Sequence, residues 1–138
     1  LLLGIGRAPS PRFPVTALPN LHDRRTWFGL PGYFSPRSPY ESVIRRIADS
    51  AQVVTSSLHG IVIADALGVP VSLVRPGSED MFKYEDYYEG TGRHLPQVHE
   101  SFAAGIDSPA PPLTWEPKCL TAAFPSDLWA TPRSPERR

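Results

Sequence analysis

The sequence predicts an α/β fold in which helices flank a parallel sheet, and three observations carry that expectation. Residues 52–55 and 71–74 are short, largely apolar and β-branched, as strands buried on both faces of a parallel sheet are. Between them, residues 60–67 are apolar on nearly every side except at Asp65, which describes a buried helix. Ahead of the first strand, Val43, Ile44, Ile47, Ala48 and Ala51 share one face at helical spacing, while Arg45, Arg46 and Asp49 take the other. Helix, strand, helix, strand with short connections is the pattern of a parallel sheet.

Taken in order, residues 1–5 read as a buried strand, with Gly4 and Gly6 loosening its end. Prolines 9, 11 and 14 then forbid regular structure over residues 7–14, since each removes an N–H donor and restricts its predecessor. Residues 15–18 form a short strand that stops at Pro19 and Asn20, followed by a loop rich in aromatics, Gly and Pro up to Arg37. Ser38, Pro39 and Glu41 supply an N-cap, a proline at the first helical position and a glutamate three residues after the cap. Gly68 and Pro70 stop the buried helix. Beyond Arg75 the chain turns polar and aromatic, and helices are expected at residues 95–104 and 118–124, with a disordered tail at 131–138. The domain expectation is therefore a lead-in or truncated strand over 1–14, one α/β unit over 15–130, and that tail.

Composition bounds the function. The 138 residues suffice for one domain with a core, and 14 acidic against 14 basic side chains leave no basic excess for nucleic acid or a charged membrane surface. No apolar run approaches the roughly 20 residues that span a bilayer. The single cysteine, Cys119, excludes an internal disulfide and suits a reducing compartment, so the cytoplasm is the expected location. Met81 is the only methionine, and the chain reads as a piece of a longer protein. His22, Asp23, His59, His94, His99 and Cys119 show no metal-ligand spacing, and no metal or cofactor is expected.

The polar stretch Thr55-Ser56-Ser57-Leu58-His59-Gly60 lies where a strand hands over to a helix. Open α/β sheets bind ligands at the carboxyl ends of their strands. The first N–H groups of the following helix have no partner within it and carry a partial positive charge, so they stabilise an anion. The hydroxyls of Ser56 and Ser57 suit the anion's oxygens, Gly60 permits close backbone approach, and His59 supplies an imidazole that can give or take a proton. On spacing alone a structural role is as good a reading: either serine serves as an ordinary N-cap, and the histidine as a structural hydrogen-bonder.

"SSLHGIVIADALGVP" followed by "FKYEDYYEGTGR" resembles the polysaccharide pyruvyl transferase family, and "PNLHD", "SPRSPYESVI" and "AAFPSDLW" resemble its flanking pieces, over roughly residues 15–130. The resemblance implies transfer of a pyruvyl group from phosphoenolpyruvate to two hydroxyls of a cell-surface glycan or its lipid-linked sugar precursor, giving a cyclic ketal. It also implies a Rossmann-like sheet, here the C-terminal half of a GT-B-type two-domain transferase whose N-terminal half is missing, so that this piece alone is expected not to turn over. By the same resemblance His59 stands at the donor, as proton donor or phosphate ligand, with Ser57 and Gly60 beside it in the anion pocket.

Lys83, between Phe82 and Tyr84, either crosses the strand ends to neutralise the donor or pairs in solvent with Glu85 or Asp86. Asp86 and Tyr87 either orient that lysine or cap a helix, and Tyr87 and Tyr88 either face a sugar or pack. The family more often shows Pro-His where this chain has Pro19-Asn20, which leaves Asn20, His22 and Asp23 as further candidates. Two other functions fit the same fold, which does not fix chemistry. A nucleotide-sugar glycosyltransferase would use Glu79 or Glu85 for a ribose, although no glycine-rich loop supports it; a non-catalytic remnant would keep the sheet and pocket only.

Overall fold

The computed structural model describes residues 4–114. Three strands, β1 (Phe13–Leu18), β2 (Ser50–Thr55) and β3 (Val71–Leu73), form a parallel sheet in the order β1-β2-β3. Helices α1 (Arg24–Trp27) and α2 (Tyr40–Ala48) connect β1 to β2, and α3 (Leu58–Leu67) connects β2 to β3. Helices α4 (Phe82–Gly90) and α5 (Phe102–Gly105) follow. This is a Rossmann-like α/β arrangement, as the strand and helix patterns predict. No helix among the described residues is long and apolar enough to cross a membrane.

Register explains the two cores. Ala17 pairs with Val54 and Val54 with Ser72, whereas Thr16, Val53 and Val71 make up the adjacent row. Side chains alternate along each strand, so neighbouring rows face opposite sides. Leu18, Val53, Val71 and Leu73 pack on one side against Ile44 and Ile47 of α2, Ile61 and Ala64 of α3, and Tyr84 and Tyr88 of α4. Ala17, Val54 and Val74 meet Trp27 and Phe102 on the other, where the two rings contact edge to face at 6.0 Å. Gln52 fastens this smaller side, donating to Ser72 Oγ and to the Gly105 carbonyl, each at 2.9 Å.

Several elements differ from the expected ones, each for a local reason. Strand β1 begins at Phe13 and takes in Pro14, at the strand's start, ahead of the continuous pairing of Val15, Thr16, Ala17 and Leu18 with β2. Pro39, not Ser38, is the N-cap of α2, and no side chain caps that helix. The helix also ends before Ala51, because the Asp49 carbonyl accepts the N–H groups of Arg12 and Phe13 and directs the chain straight into β2. Helix α3 begins at Leu58, two residues earlier than expected, and is not buried all round: Val62 and Ala66 face outward. Gly68 ends it with φ 67°, the left-handed turn glycine adopts freely.

Within the polar, aromatic segment after Arg75, Tyr84 and Tyr88, one turn apart, anchor α4 in the core. Residues 95–104 are not one helix: His99 bridges Val74 along the free edge of β3, and helix forms only over Phe102–Gly105, capped by Ser101. Pro96 restricts Leu95, and the open sheet edge offers His99 both backbone partners, from Leu73 and Arg75. Residues 1–3 of the expected first strand, the helix at 118–124, Cys119, the "AAFPSDLW" segment and the tail at 131–138 lie outside the described residues.

Candidate functional site

The carboxyl ends of β1 and β2 and the loop after β3 meet in a buried hydrogen-bond network. Asn20 Oδ1 accepts the N–H groups of His22 and Asp23 at 2.8 Å, an Asx turn that reverses the chain after β1. Asn20 Nδ2 donates to Asp23 Oδ2 at 2.9 Å, and Ser56 Oγ donates to the same oxygen at 2.8 Å while accepting the Asn20 N–H. The Gly77 N–H reaches both Asp23 oxygens, at 3.2 and 3.3 Å. Asn20, Asp23 and Ser56 are thus a latch that ties three strand ends together. The Ser56 hydroxyl is fully buried in it, so it turns inward and does not face a ligand.

Beside the latch opens a cavity of about 320 Å³ lined by Asn20, Ser57, His59, Gly60, Glu79 and Lys83 over an apolar floor that includes Leu18, Val43 and Ile63. His59, Gly60 and Ser57 come from the start of α3, and Lys83 from the first turn of α4, so two separate segments bring the imidazole and the ammonium to one space. Ser57 is the N-cap of α3 but its side chain makes no cap bond, and the His59 and Gly60 amides find no acceptor among the described residues. That leaves two N–H donors with the positive end of the helix dipole.

Gly60 has a packing reason. A Cβ there would lie 2.6 Å from Thr55 Oγ1 and 3.2 Å from Leu18 Cδ2. Thr55 Oγ1 cannot move aside, because it donates to the Leu18 carbonyl and accepts the Ser57 N–H. The bare face of Gly60 is turned to the sheet, which seats the first turn of α3 against the strand ends.

Lys83 pairs with Glu79, four residues earlier, rather than with Glu85 or Asp86. Glu79 also accepts from Tyr84 Oη at 3.0 Å, and that hydroxyl lies 2.7 Å from the Ser56 carbonyl. Burial pushes the Glu79 carboxyl up, but hydrogen bonds from Lys83 and Tyr84 and the charges of Lys83 and His22 outweigh it and hold the group below its ordinary value. Burial first, then Glu79, pushes the Tyr84 phenol well above its ordinary range. A carboxyl with a lowered folded pKa adds stability above its unfolded value, and that stability is lost as pH falls through the folded one. Wild type is therefore expected to be more stable than Glu79→Gln at neutral pH. The difference in urea midpoint should shrink as pH drops below the ordinary carboxyl value of 4.5.

His22 is exposed and lends Glu79 only its charge. Asp86 is exposed on α4 and makes no ion pair or side-chain hydrogen bond among the described residues. Tyr87 is committed elsewhere, donating to Asp65 Oδ2 at 2.9 Å, while Arg93 closes on the same carboxylate at 2.7 Å. Burial, then Asp65, pushes the Tyr87 phenol up to about 12 against the opposing charge of Arg93. Neither Asp86 nor Tyr87 lines the cavity. Glu79 is the partner of Lys83 that the sequence did not point to; the i, i+4 spacing was visible, but it spans the start of a helix for which the sequence suggested no element.

No protein-family model matches the chain, and no solved structure does. The chain is 38% identical over 61 residues to the succinoglycan biosynthesis protein ExoV of Rhizobium meliloti (strain 1021), a stretch that makes up 44% of this chain and 19% of that protein. The matched stretch thus spans about a fifth of the relative's length. The relation is distant, and it is to a protein of exopolysaccharide biosynthesis.

Proposed function

We propose that this chain is the donor-binding half of a polysaccharide pyruvyl transferase, with phosphoenolpyruvate seated in the cavity at the start of α3. One observation supports the reading above others: His59 and Lys83, from separate helices, line one cavity beside two amides that lack acceptors among the described residues. Phosphoenolpyruvate carries a phosphate and a carboxylate, and those groups need N–H donors and a cation. The likeness to a succinoglycan biosynthesis protein supports a glycan acceptor.

In this reading the phosphate rests on the His59 and Gly60 amides with the imidazole beside it. Lys83 gives up Glu79 for the donor's anionic oxygens, a cheap exchange because its side chain is 41% exposed and such pairs contribute only about 0–1 kcal/mol. The enol carbon takes a proton, one acceptor hydroxyl adds to the neighbouring carbon, and phosphate leaves as the second hydroxyl closes the ketal. Two hydroxyl protons are released; one balances the proton now on the methyl carbon and the other leaves with phosphate. His59 is the group placed to protonate or hold that phosphate, and general acid–base help of this kind contributes about 10²–10⁴ in rate.

A thermal-shift comparison on the full chain tests the reading. Phosphoenolpyruvate is expected to raise the melting temperature, with a smaller rise in His59→Ala and in Lys83→Ala. At about 100 times Kd the gain amounts to about 2.7 kcal/mol. Stabilisation by nucleotide sugars alone would favour a glycosyltransferase, and stabilisation by neither would favour a remnant without catalysis.

A further inference from the structure

A second cavity, of about 430 Å³, opens at the carboxyl edge on the side of the sheet where Trp27 and Phe102 pack. Asp23 lines it, with the residue only 9% exposed, and no cation pairs with its carboxylate among the described residues. A buried carboxylate without a counter-ion is costly unless hydrogen bonds hold it. Here the donors are unevenly shared. Among the described residues Oδ2 accepts from Asn20, Ser56 and Gly77, whereas Oδ1 accepts only the Gly77 N–H at 3.2 Å and keeps capacity for another donor.

The other linings define what that donor belongs to. Glu100 and Arg75 pair with each other at 2.9 Å on the rim, so the Asp23 charge leaves the cavity net negative and unsuited to phosphate. Trp27, Phe102 and Leu30 supply an apolar wall, and the volume falls within the roughly 300–1,000 Å³ of small-molecule pockets. An apolar aromatic wall with one oriented carboxylate matches a sugar ring, which has an apolar face and a rim of hydroxyl donors.

We infer that this second cavity holds one neutral pyranose ring of the acceptor glycan, with a ring hydroxyl donating to Asp23 Oδ1. The inference rests on reading the chain as a glycan-modifying enzyme, and it assigns this ring an anchoring part rather than the reacting one. Asn20 lines the first cavity and binds Asp23, which lines the second, so the latch is the wall between donor and anchor. A glycan seated in the second cavity would bring its neighbouring sugar over that wall toward the donor.

Site-resolved NMR on the full chain separates the two cavities. A methyl hexopyranoside is expected to move the Trp27 indole N–H resonance while inorganic phosphate leaves it in place. Ala103→Phe, at an exposed position on the cavity's lining, should abolish the pyranoside response and leave the His59 amide's response to phosphate unchanged. Asp23→Asn should weaken the pyranoside response as well. The inference is overturned if the pyranoside moves nothing, or moves His59 and Gly60 instead of Trp27. It is equally overturned if tetramethylammonium moves Trp27 and the pyranoside does not, since the cavity is then a cation site. Failure of the donor reading would show separately, as silence of the His59 and Gly60 amides toward phosphoenolpyruvate.

Discussion

Replacing Asp65 by alanine is expected to cost about 3–5 kcal/mol of folding stability, the usual penalty for stranding one partner of a buried ion pair. The Asp65 side chain is 4% exposed and that of Arg93 12%, and their contact at 2.7 Å is joined by the Tyr87 hydroxyl. Arg93 lies over the rings of Tyr87 and Tyr88, so without Asp65 its charge is left against aromatic faces and little water. The loss would be large because a domain of this size has only about 5–15 kcal/mol to lose. It also loosens α4, which carries Lys83, so binding of the proposed donor should weaken with stability. Tyr88→Phe is the contrasting variant. The Tyr88 hydroxyl is buried without a partner among the described residues, and removing such a group should leave stability equal or higher. Urea denaturation of the two variants checks both signs.

Gly60→Ala is expected to destabilise by about 1–3 kcal/mol, as overpacking does, and to weaken anion binding at the same time. The new methyl would press on Thr55 Oγ1, and that oxygen is fixed by the Leu18 carbonyl and the Ser57 N–H. Relief must come from moving the first turn of α3, which carries His59 and the His59 and Gly60 amides. The coupling is measurable by a double-mutant cycle. Gly60→Ala combined with Thr55→Ala should be less destabilised than the two single changes added together, since the clash needs both side chains.

The elements that position the cavity were legible because apolar periodicity writes them. Ile44 and Ile47 mark the inner face of α2, Val53 and Val54 a strand buried on both faces, and Gly68 the end of α3. The placement of His59 and Lys83 followed from where strands and helices hand over, once the resemblance had drawn Lys83 into the same region. Helix α4 was hidden because its buried side is made by Tyr84 and Tyr88, while Lys83, Glu85, Asp86 and Glu89 surround them in sequence. Periodicity that rests on two tyrosines is hard to tell from an aromatic loop. The fate of Ser56 was hidden for another reason. Its partner Asp23 is 33 residues away, and only the parallel pairing of β1 with β2 brings the two together. Residues 95–104 misled in the opposite direction, since a helical pattern there loses to the open edge of β3, which takes His99 as a bridge. Local sequence cannot weigh a partner supplied by the sheet.

Backbone-resolved NMR of the chain titrated with phosphoenolpyruvate tests the proposed donor site most directly. The amide resonances of His59 and Gly60 should move ahead of all others, with the Lys83 ammonium leaving Glu79 over the same concentration range. If those two amides stay still while resonances elsewhere respond, or if Lys83 keeps Glu79 at saturation, the donor does not rest at the start of α3.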